Sequence, residues 1–210
     1  MKLVVFGSTG GTGKNAVARA LALGHTVTAV ARRPDAVPAR ERLTVHTGDV
    51  LDAASLAGAF AGADAVIVAI GPASNRNPGT LISVGTANVL AGCAQAGVKR
   101  LVFESGLMMS DGKELALTSR LGVAFFRTLF PRLHADKVVA EAALRASALE
   151  WVIVRPPALT DGVAVGGYVL GANARVSAAR SMTHADCADA LVRAATEPQW
   201  ARQVLNVGRA

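Results

Sequence analysis

The start of the chain is an apolar run that breaks into closely spaced glycines. Residues 3 to 6 (LVVF) precede Gly7, Gly10 and Gly13, spaced Gly-x-x-Gly-x-x-Gly, and a helical pattern continues to Leu23. A strand that turns on glycines into a helix directs backbone N–H groups and the positive end of the helix dipole at one point, which suits a pyrophosphate. Gly7 permits the tight turn, Gly10 lets the backbone approach phosphates, and Gly13 lets the helix pack closely. The pattern predicts a nucleotide-binding turn, although a tight turn without a ligand uses the same residues.

The other glycine-rich phosphate loop, Gly-x4-Gly-Lys-Ser/Thr, does not fit this segment. Gly13 and Lys14 supply its end, but Ser8 stands where its first glycine belongs and Asn15 stands where a metal-binding hydroxyl is required. The segment is therefore not a loop of the Walker A type.

Length and composition predict one soluble domain. The chain has 210 residues, of which 51% are hydrophobic and 18% charged, and it shows neither a linker nor a repeat. No apolar run reaches the ~20 residues of a membrane span, and the first residues lack the pattern of a signal peptide. We therefore expect a cytoplasmic protein with no membrane partner. Cys93 and Cys187 have no neighbouring Cys or His at metal-ligand spacing, so we expect free, buried thiols and no metal.

The net charge of +7 raises the question of nucleic acid. The 22 basic residues are scattered, however, and aromatic residues for base stacking make up only 4% of the chain. A basic surface that attracts a small anionic ligand is the simpler interpretation, and we expect no nucleic-acid partner.

Apolar, strand-like runs alternate along the chain with segments of helical period. Strands are predicted near residues 2–6, 26–31, 43–47, 64–70, 99–104, 151–155 and 203–207. Helices are predicted near 12–23, 53–60, 79–96, 113–129, 133–148 and 184–196. Because the strands are apolar throughout, we expect both faces to be buried, which indicates an α/β fold with a doubly wound parallel sheet. Such sheets bind ligands at the carboxyl ends of their strands, so the residues that follow each strand are candidates.

Arg32 and Arg33 follow the second strand, where an NAD site places an acidic residue for the ribose 2′-hydroxyl. A basic residue there favours the 2′-phosphate of NADP, although two solvated arginines in a loop remain an alternative. After the third strand, Asp49 is expected to accept from the adenine amino group while Val50 packs on the ring. The alternative for Asp49 is a cap for the helix that follows, although Asp52 is better placed for that.

The fourth and fifth strands also end in residues that suit a cofactor. Gly71 and Pro72 let the chain pass close to a ligand, as a plain turn also would. Ser105 comes directly after the fifth strand, where a hydroxyl could reach a nicotinamide or a substrate carbonyl. A turn serine that bonds its own backbone is the alternative.

Five ordered motifs carry a family resemblance over nearly the whole chain. The chain resembles the atypical short-chain dehydrogenases with NAD(P)-binding domains, above all the biliverdin reductase B/flavin reductase type, with NmrA-like proteins more distant. The motifs are the glycine loop, Gly48-Asp49-Val50, Ser105, Leu149 to Pro157, and Thr183-His184-Ala185-Asp186-Cys187-Ala188. The resemblance implies a single Rossmann domain, NADP(H) as cofactor, and hydride transfer to a flat conjugated acceptor. It also implies cofactor contacts at Thr9, Gly10, Gly11, Thr12, Arg32, Asp49, Val50, Gly71, Pro72, Ser105, Lys137, Pro157 and Ala158.

The chain departs from the dehydrogenase pattern at the catalytic tyrosine. In a Tyr-x-x-x-Lys helix the Tyr protonates an alkoxide, but four residues before Lys137 stands Leu133, and the only Tyr is Tyr168. Ordinary alcohol oxidation is therefore not expected. His134 is a candidate proton donor on the helix of Lys137, although a plain surface histidine fits equally well. At Ala158 the biliverdin-reductase-like enzymes have a His, which weakens the case for tetrapyrrole chemistry.

Segments 106–131 and 156–182 are predicted to select the substrate. They contain Met108, Met109, Phe125, Phe126 and the glycine-rich stretch 162–171, which could cover a nicotinamide. Core packing is the better explanation for about half of these segments, because helices of such a fold need an apolar face. The interpretation is an NADPH-dependent oxidoreductase, monomer or homodimer, with Ser105, Lys137 and His134 as candidate catalytic residues. The alternative is an NADP(H)-binding redox sensor of the NmrA-like type without catalysis, which the missing Tyr favours.

Overall fold

An eight-stranded sheet runs through the middle of the molecule, in a computed structural model that describes residues 1–110, 112 and 117–210. The strands are β1 (Lys2–Phe6), β2 (Thr26–Ala31), β3 (Leu43–Thr47), β4 (Ala65–Val68), β5 (Arg100–Glu104), β6 (Glu150–Arg155), β8 (Val169–Gly171) and β10 (Gln203–Gly208). Their order is β3-β2-β1-β4-β5-β6-β10-β8, and β8 alone is antiparallel to its neighbour. A separate pair joins β7 (Leu159–Thr160) to β9 (Met182–Thr183).

Helices cover both faces of the sheet. They are α1 (Gly11–Ala22), α2 (Leu81–Ala96), α3 (Leu117–Leu129), α4 (Pro131–Ala146) and α5 (His184–Thr196). Leu3 and Val5 face a core formed with α1 and α5, whereas Val4 and Phe6 face a core formed with α2 and α4. Successive side chains of a strand point to opposite faces, so continuously apolar strands serve both cores. None of the helices in the described part is long and apolar enough to cross a bilayer.

The predicted doubly wound fold is confirmed. The chain runs from β1 outward to β3 in one direction and returns to continue from β4 in the other, so the order reverses between β1 and β4. In sheets of this kind ligands bind across the crevice at the carboxyl ends of the strands on either side of that reversal. The fold therefore puts the residues that follow β1, β2, β4 and β5 along one edge.

The helix predicted over residues 53–60 is wrong in extent. The structure has only a short 3-10 turn, Ala53–Leu56, which Asp52 caps by accepting the Ala54 N–H at 3.1 Å. Gly58 follows with a φ of +83°, a left-handed conformation that ends helical winding.

Three short strands, β7, β8 and β9, were not predicted, because two or three residues carry no measurable periodicity. The other predicted helices and strands are present, with bounds that differ by a few residues. Of the helix predicted over 113–129, residues 113–116 lie outside the described part of the chain.

A buried carboxylate on α4 fixes the start of α2. Asp136 is 6% exposed, and its two oxygens accept the backbone N–H groups of Ile82 at 2.9 Å and Ser83 at 3.1 Å. These N–H groups belong to the first turn of α2, where a helix lacks internal acceptors and where negative charge is favourable. The contact docks α4 on α2 and sets the position of Lys137, the next residue along α4.

Replacing Asp136 tests this docking. We expect Asp136→Ala to lower the free energy of unfolding by about 1–2 kcal/mol, the usual cost of losing a helix cap. Urea denaturation followed by circular dichroism measures the change. Asp136→Asn keeps one acceptor oxygen and should lose less. Equal stability of all three proteins would contradict the assigned role.

Candidate cofactor and active site

The glycines of the first loop are needed for different structural reasons. A Cβ on Gly7, whose φ is +77°, would lie 2.2 Å from the carbonyl oxygen of Ala69, and a Cβ on Gly13 would lie 2.0 Å from that of Gly7. Backbone packing therefore excludes a side chain at both positions. A Cβ on Gly10 would meet only the Gly7 carbonyl oxygen, at 3.3 Å, and Gly10 is exposed. The open face of Gly10 is the side from which a ligand could approach the backbone.

The amino end of α1 is left free to bind an anion. Gly10 is its N-cap and offers no side-chain acceptor. The N–H groups of Gly11, Thr12 and Gly13 have no acceptor among the described residues, and Thr9 before them is exposed. Uncapped N–H groups and the helix dipole together favour a phosphate at this place. The loop therefore fits the pyrophosphate that the sequence predicted.

The residues predicted for the adenosine half lie at the ends of β2 and β3. Arg32 and Arg33 are both exposed, and neither forms an ion pair with another described residue. Asp49 Oδ1 accepts the N–H of Leu51 at 3.0 Å, and Val50 is half-buried. Two cationic side chains that pair with no described residue, close to the free amino end of α1, would suit a 2′-phosphate.

A cavity of about 690 Å³ opens at the carboxyl ends of β4, β5 and β6. Its size lies within the range of ordinary ligand sites. It adjoins the glycine loop and is bounded on the far side by α3 and α4. Most of the residues predicted to contact the nicotinamide half of the cofactor line this cavity. Its lining includes Gly10, Gly11, Thr12, Gly71, Pro72, Glu104, Ser105, Met108, Val123, Phe126, Leu133, Lys137, Pro157, Ala158, Leu159 and His184.

Ser105 lies in the cavity wall, but its hydroxyl is engaged behind that wall. It donates to Glu141 Oε1 at 2.6 Å, and Ser105 is only 5% exposed. Glu141 also accepts from Arg155 at 2.7 Å. Burial alone would raise the pKa of Glu141, but the hydrogen bond and charge of Arg155, with the Ser105 hydroxyl, lower it overall. Glu141 thus stays ionised, and the Ser105 proton serves this ion pair rather than a ligand.

Lys137 and Glu104 form the charged floor of the cavity. The Lys137 amino group donates to the carbonyl oxygen of Ser105, and burial lowers its pKa, opposed by the charges of Glu104 and Glu141. Glu104 ends β5, and burial raises its pKa, opposed by Lys137 and by the hydroxyl of Thr12. Because these groups are held away from water, their electrostatic interactions with each other and with any charged ligand beside them are stronger than they would be in water.

Thr12 connects Glu104 to His184. The Thr12 hydroxyl donates to Glu104 Oε1 at 3.1 Å, and His184 Nδ1 lies 2.9 Å from the same hydroxyl oxygen. A hydroxyl has one proton. Because Thr12 directs that proton at Glu104, the imidazole Nδ1–H is the donor in the contact between His184 and Thr12. A Cβ on Gly11 would lie 2.7 Å from the imidazole ring, which places His184 directly against the glycine loop.

Sequence analysis did not select Glu104 or His184 as site residues. Glu104 was visible as the last residue of a predicted strand, which was the available signal. His184 was quoted only within a motif, and the structure shows why it reaches the cavity. The β7–β9 pair brings Thr183 beside the chain that follows Ala158, and the Thr183 hydroxyl caps α5 by accepting the Asp186 N–H at 3.1 Å. His184 is therefore the first residue of a helix that starts at the cavity.

Neither His134, the candidate proton donor, nor Tyr168 lines this cavity in the described part of the chain. Leu133, four residues before Lys137, lies in its wall, whereas His134 does not. Burial and then the charge of Arg127 lower the pKa of His134. The hydroxyl of Tyr168, the only tyrosine, donates to Asp189, and burial raises its pKa. No tyrosine therefore stands in for the one missing at position 133.

The predicted substrate segments contribute unequally. Met108, Val123 and Phe126 line the cavity, as do Leu159 and residues 177–179. The stretch 162–171 adds no lining residue in the described part, because Asp186 holds it elsewhere by accepting the N–H groups at positions 165 and 166. Cys93 and Cys187 are free and buried, as expected, and no cluster of three potential metal ligands occurs among the described residues.

The chain belongs to the NAD(P)H-binding family. The family model described as "NAD(P)H-binding" matches residues 7–198, which is nearly the whole chain. This finding agrees with the glycine loop, the uncapped α1 and the adjoining cavity. Family membership establishes an NAD(P)H-binding Rossmann fold of the oxidoreductase type, while the choice between NAD and NADP and the acceptor are separate questions.

The chain is also similar to three individual proteins. An uncharacterised protein of Mycobacterium tuberculosis strain H37Rv is 38% identical over 106 residues, half of this chain but only 12% of that protein, so the chain spans a small part of this relative. The anaerobillin reductase ChuY of Escherichia coli O157:H7 has 26% identity and a TM-score of 0.79, covering 100% of this chain and 97% of that one. A short-chain dehydrogenase/reductase of Veillonella parvula, solved with NADP, has 20% identity and a TM-score of 0.80, covering 99% and 94%.

The open face of Gly10 gives a direct test of the loop. We expect Gly10→Val to weaken NADPH binding by at least about tenfold, because its branched side chain would occupy the ligand side of the loop. Any residue can adopt the backbone angles of Gly10, with φ of −76° and ψ of 168°. The one close contact of an added Cβ is the Gly7 carbonyl oxygen at 3.3 Å, which needs only a small shift, so the fold should survive. Titration calorimetry measures the affinity, and Gly10→Ala should give an intermediate loss. Unchanged affinity in folded Gly10→Val would show that the loop is only a turn.

Proposed function

We propose that this protein is an NADPH-dependent oxidoreductase that transfers a hydride to a flat conjugated acceptor such as a flavin, a quinone or a tetrapyrrole-like compound. The observation that carries the proposal is the cavity beside the glycine loop, which combines a charged floor with apolar walls and has Leu133 where a catalytic tyrosine would stand. An acceptor that delocalises the added electrons needs no acid at that position.

The cofactor would lie across the carboxyl edge of the sheet. The first turn of α1 would hold the pyrophosphate, Arg32 and Arg33 the 2′-phosphate, and Asp49 and Val50 the adenine. On the other side of the reversal, Lys137 would reach the nearby ribose. Bound NADPH supplies the hydride. The protein's own contribution is to orient the two rings and to exclude water from the space between them.

The cavity walls favour a planar, apolar acceptor. Met108, Val123, Phe126, Leu133 and Leu159 present apolar surface to the cavity. Aromatic and thioether side chains make adaptable contacts with conjugated rings. The similarity to a reductase named for anaerobillin is consistent with an acceptor of this shape. Ala158, however, stands where the biliverdin-reductase-like enzymes that the sequence resembles have a histidine. Flavins and quinones therefore come first among the acceptors to test.

A second candidate function is a sensor of the NADP(H) redox state without turnover. The absence of a tyrosine from the described cavity favours it, because the cofactor site can be complete while an acid catalyst is lacking. The sensor would bind the cofactor through the same residues, and its output would be a change in partner binding.

Assays with a range of electron acceptors decide between an oxidoreductase and a redox sensor. We expect the purified protein to oxidise NADPH with FMN, riboflavin or simple quinones and to leave aliphatic ketones unreduced, because only the latter require an alkoxide to be protonated. Loss of NADPH absorbance measures the rate, and folded Gly10→Val serves as the matched inactive control. Tight NADPH binding without oxidation by any flavin, quinone or carbonyl compound would support the sensor instead.

Cofactor preference tests the two arginines. We expect NADPH to bind more tightly than NADH, and Arg32→Ala to remove most of that preference, because a charge-assisted contact contributes ~1.5–3 kcal/mol, or more than about tenfold. Calorimetric titration with both cofactors gives the ratio. Lys99→Ala is the control, since it removes an exposed positive charge just before the amino end of β5. Equal affinities for NADPH and NADH in the unchanged protein would refute the assignment.

A further inference from the structure

Glu104 is an acidic group in a place where negative charge is costly. It ends β5, lines the cavity and lies one hydrogen bond from Thr12 in the first turn of α1. Its Oε1 accepts from Thr12, whereas its Oε2 has no donor among the described residues. A cofactor brings further negative charge to the adjoining pyrophosphate position, so a second anion here requires compensation.

The charged groups around Glu104 compensate it only in part. Lys137 faces it from α4 but donates to the carbonyl oxygen of Ser105. From α5, Cys187 lies 4.0 Å from Oε1 as a thiol, since burial raises its pKa, and His184 reaches it only through Thr12. From α4 and β6, Glu141 and Arg155 face each other. Burial raises the pKa of Glu104 despite Lys137, so the carboxyl holds its proton more tightly than it would in water.

We propose that Glu104 links a proton to the oxidation state of the bound cofactor, remaining protonated beside reduced nicotinamide and ionising beside oxidised nicotinamide. The inference rests on the cofactor site of the proposed function but not on turnover. The oxidised ring carries a positive charge and the reduced ring carries none. In a cavity of low polarity, that added charge stabilises a carboxylate by far more than it would in water.

The proton has a path away from the cavity floor. With the carboxyl protonated, the two contacts of Thr12 run in the opposite direction, from Glu104 to the hydroxyl and from the hydroxyl to His184 Nδ1. Breaking the Glu104 O–H bond therefore moves one proton to the half-exposed imidazole and on to water. Reduction of an acceptor A by NADPH consumes one proton to give AH2 and NADP⁺, and the proton that Glu104 releases to water compensates for that uptake.

The equilibrium readout is the pH dependence of two affinities. We expect the ratio Kd(NADP⁺)/Kd(NADPH) to fall as pH rises, by up to about tenfold per pH unit across the range in which Glu104 titrates. Measurements between about pH 5 and 9 cover the range known for buried carboxyls. Titration of the 2′-phosphate affects both cofactors alike and cancels in the ratio. In Glu104→Gln, which keeps the acceptor for Thr12, the ratio should be independent of pH.

A matched variant separates Glu104 from its neighbour. His184→Asn removes the other titratable side chain of this network and should retain the pH dependence. If Glu104→Gln does not fold, calorimetry on the unchanged protein in buffers of different ionisation enthalpy replaces it. NADP⁺ binding should then release up to one more proton than NADPH binding.

The other outcomes contradict either the role of Glu104 or the proposed enzymatic function. A constant ratio in the unchanged protein, or a pH dependence that survives Glu104→Gln and disappears in His184→Asn, would refute the role of Glu104. Equal proton release by the two cofactors would refute it as well. A pH-linked ratio without turnover of any acceptor would defeat the proposed enzyme alone, and turnover with a constant ratio would defeat this inference alone. If neither cofactor binds, both fail.

Discussion

The close approach of α1 to β1 and β4 is the constraint on which the rest of the site depends. The backbone of Gly7 touches that of Ala69 after β4, and Gly13 on α1 packs against Gly7 after β1. A Cβ at either glycine would lie only 2.0–2.2 Å from a backbone oxygen, so a side chain there would force these elements apart. Because they meet, the uncapped end of α1 points into the crevice where the strand order reverses, and Thr12 comes within hydrogen-bond distance of Glu104 on β5. One backbone contact thus joins a phosphate-binding turn to the floor of a neighbouring cavity.

Two buried glutamates at this edge differ in how completely neighbouring groups compensate their charge. Glu141 has Arg155 and the Ser105 hydroxyl as direct partners, and the result is an ionised, fixed carboxylate that holds the end of β5 against α4. Glu104 has a hydroxyl and a more distant ammonium group, so its proton is the easier one to move. A buried charge with complete partners serves structure, whereas one with incomplete partners responds to what binds beside it. The difference explains why the pKa of Glu104 is raised and that of Glu141 is lowered.

Sequence alone predicted the fold because its signals are local and repeated. Continuously apolar strands that alternate with segments of helical period predicted the parallel, doubly wound sheet, and the structure confirms it. The site was less predictable where it depends on which way a side chain points. Ser105 follows the strand and was chosen for its hydroxyl, yet that hydroxyl bonds Glu141, while Glu104, one residue earlier, reaches Thr12. His184 depends on a two-residue strand pair that no periodicity reveals.

The absence of a tyrosine at position 133 relates the apolar wall of the cavity to the contacts of Lys137 and Glu104. A tyrosine paired with a lysine fixes both the place and the timing of proton delivery, and it restricts an enzyme to substrates that need an acid there. Leu133 turns that part of the wall into apolar surface and leaves Lys137 to bind the backbone of Ser105 and to face Glu104. Under the proposed function, the acidic proton of this cavity would reside on Glu104 in its floor, next to the glycine loop rather than next to the apolar wall. The charge of the cofactor would then govern the chemistry of the site, which suits acceptors that take up electrons first and protons from any source.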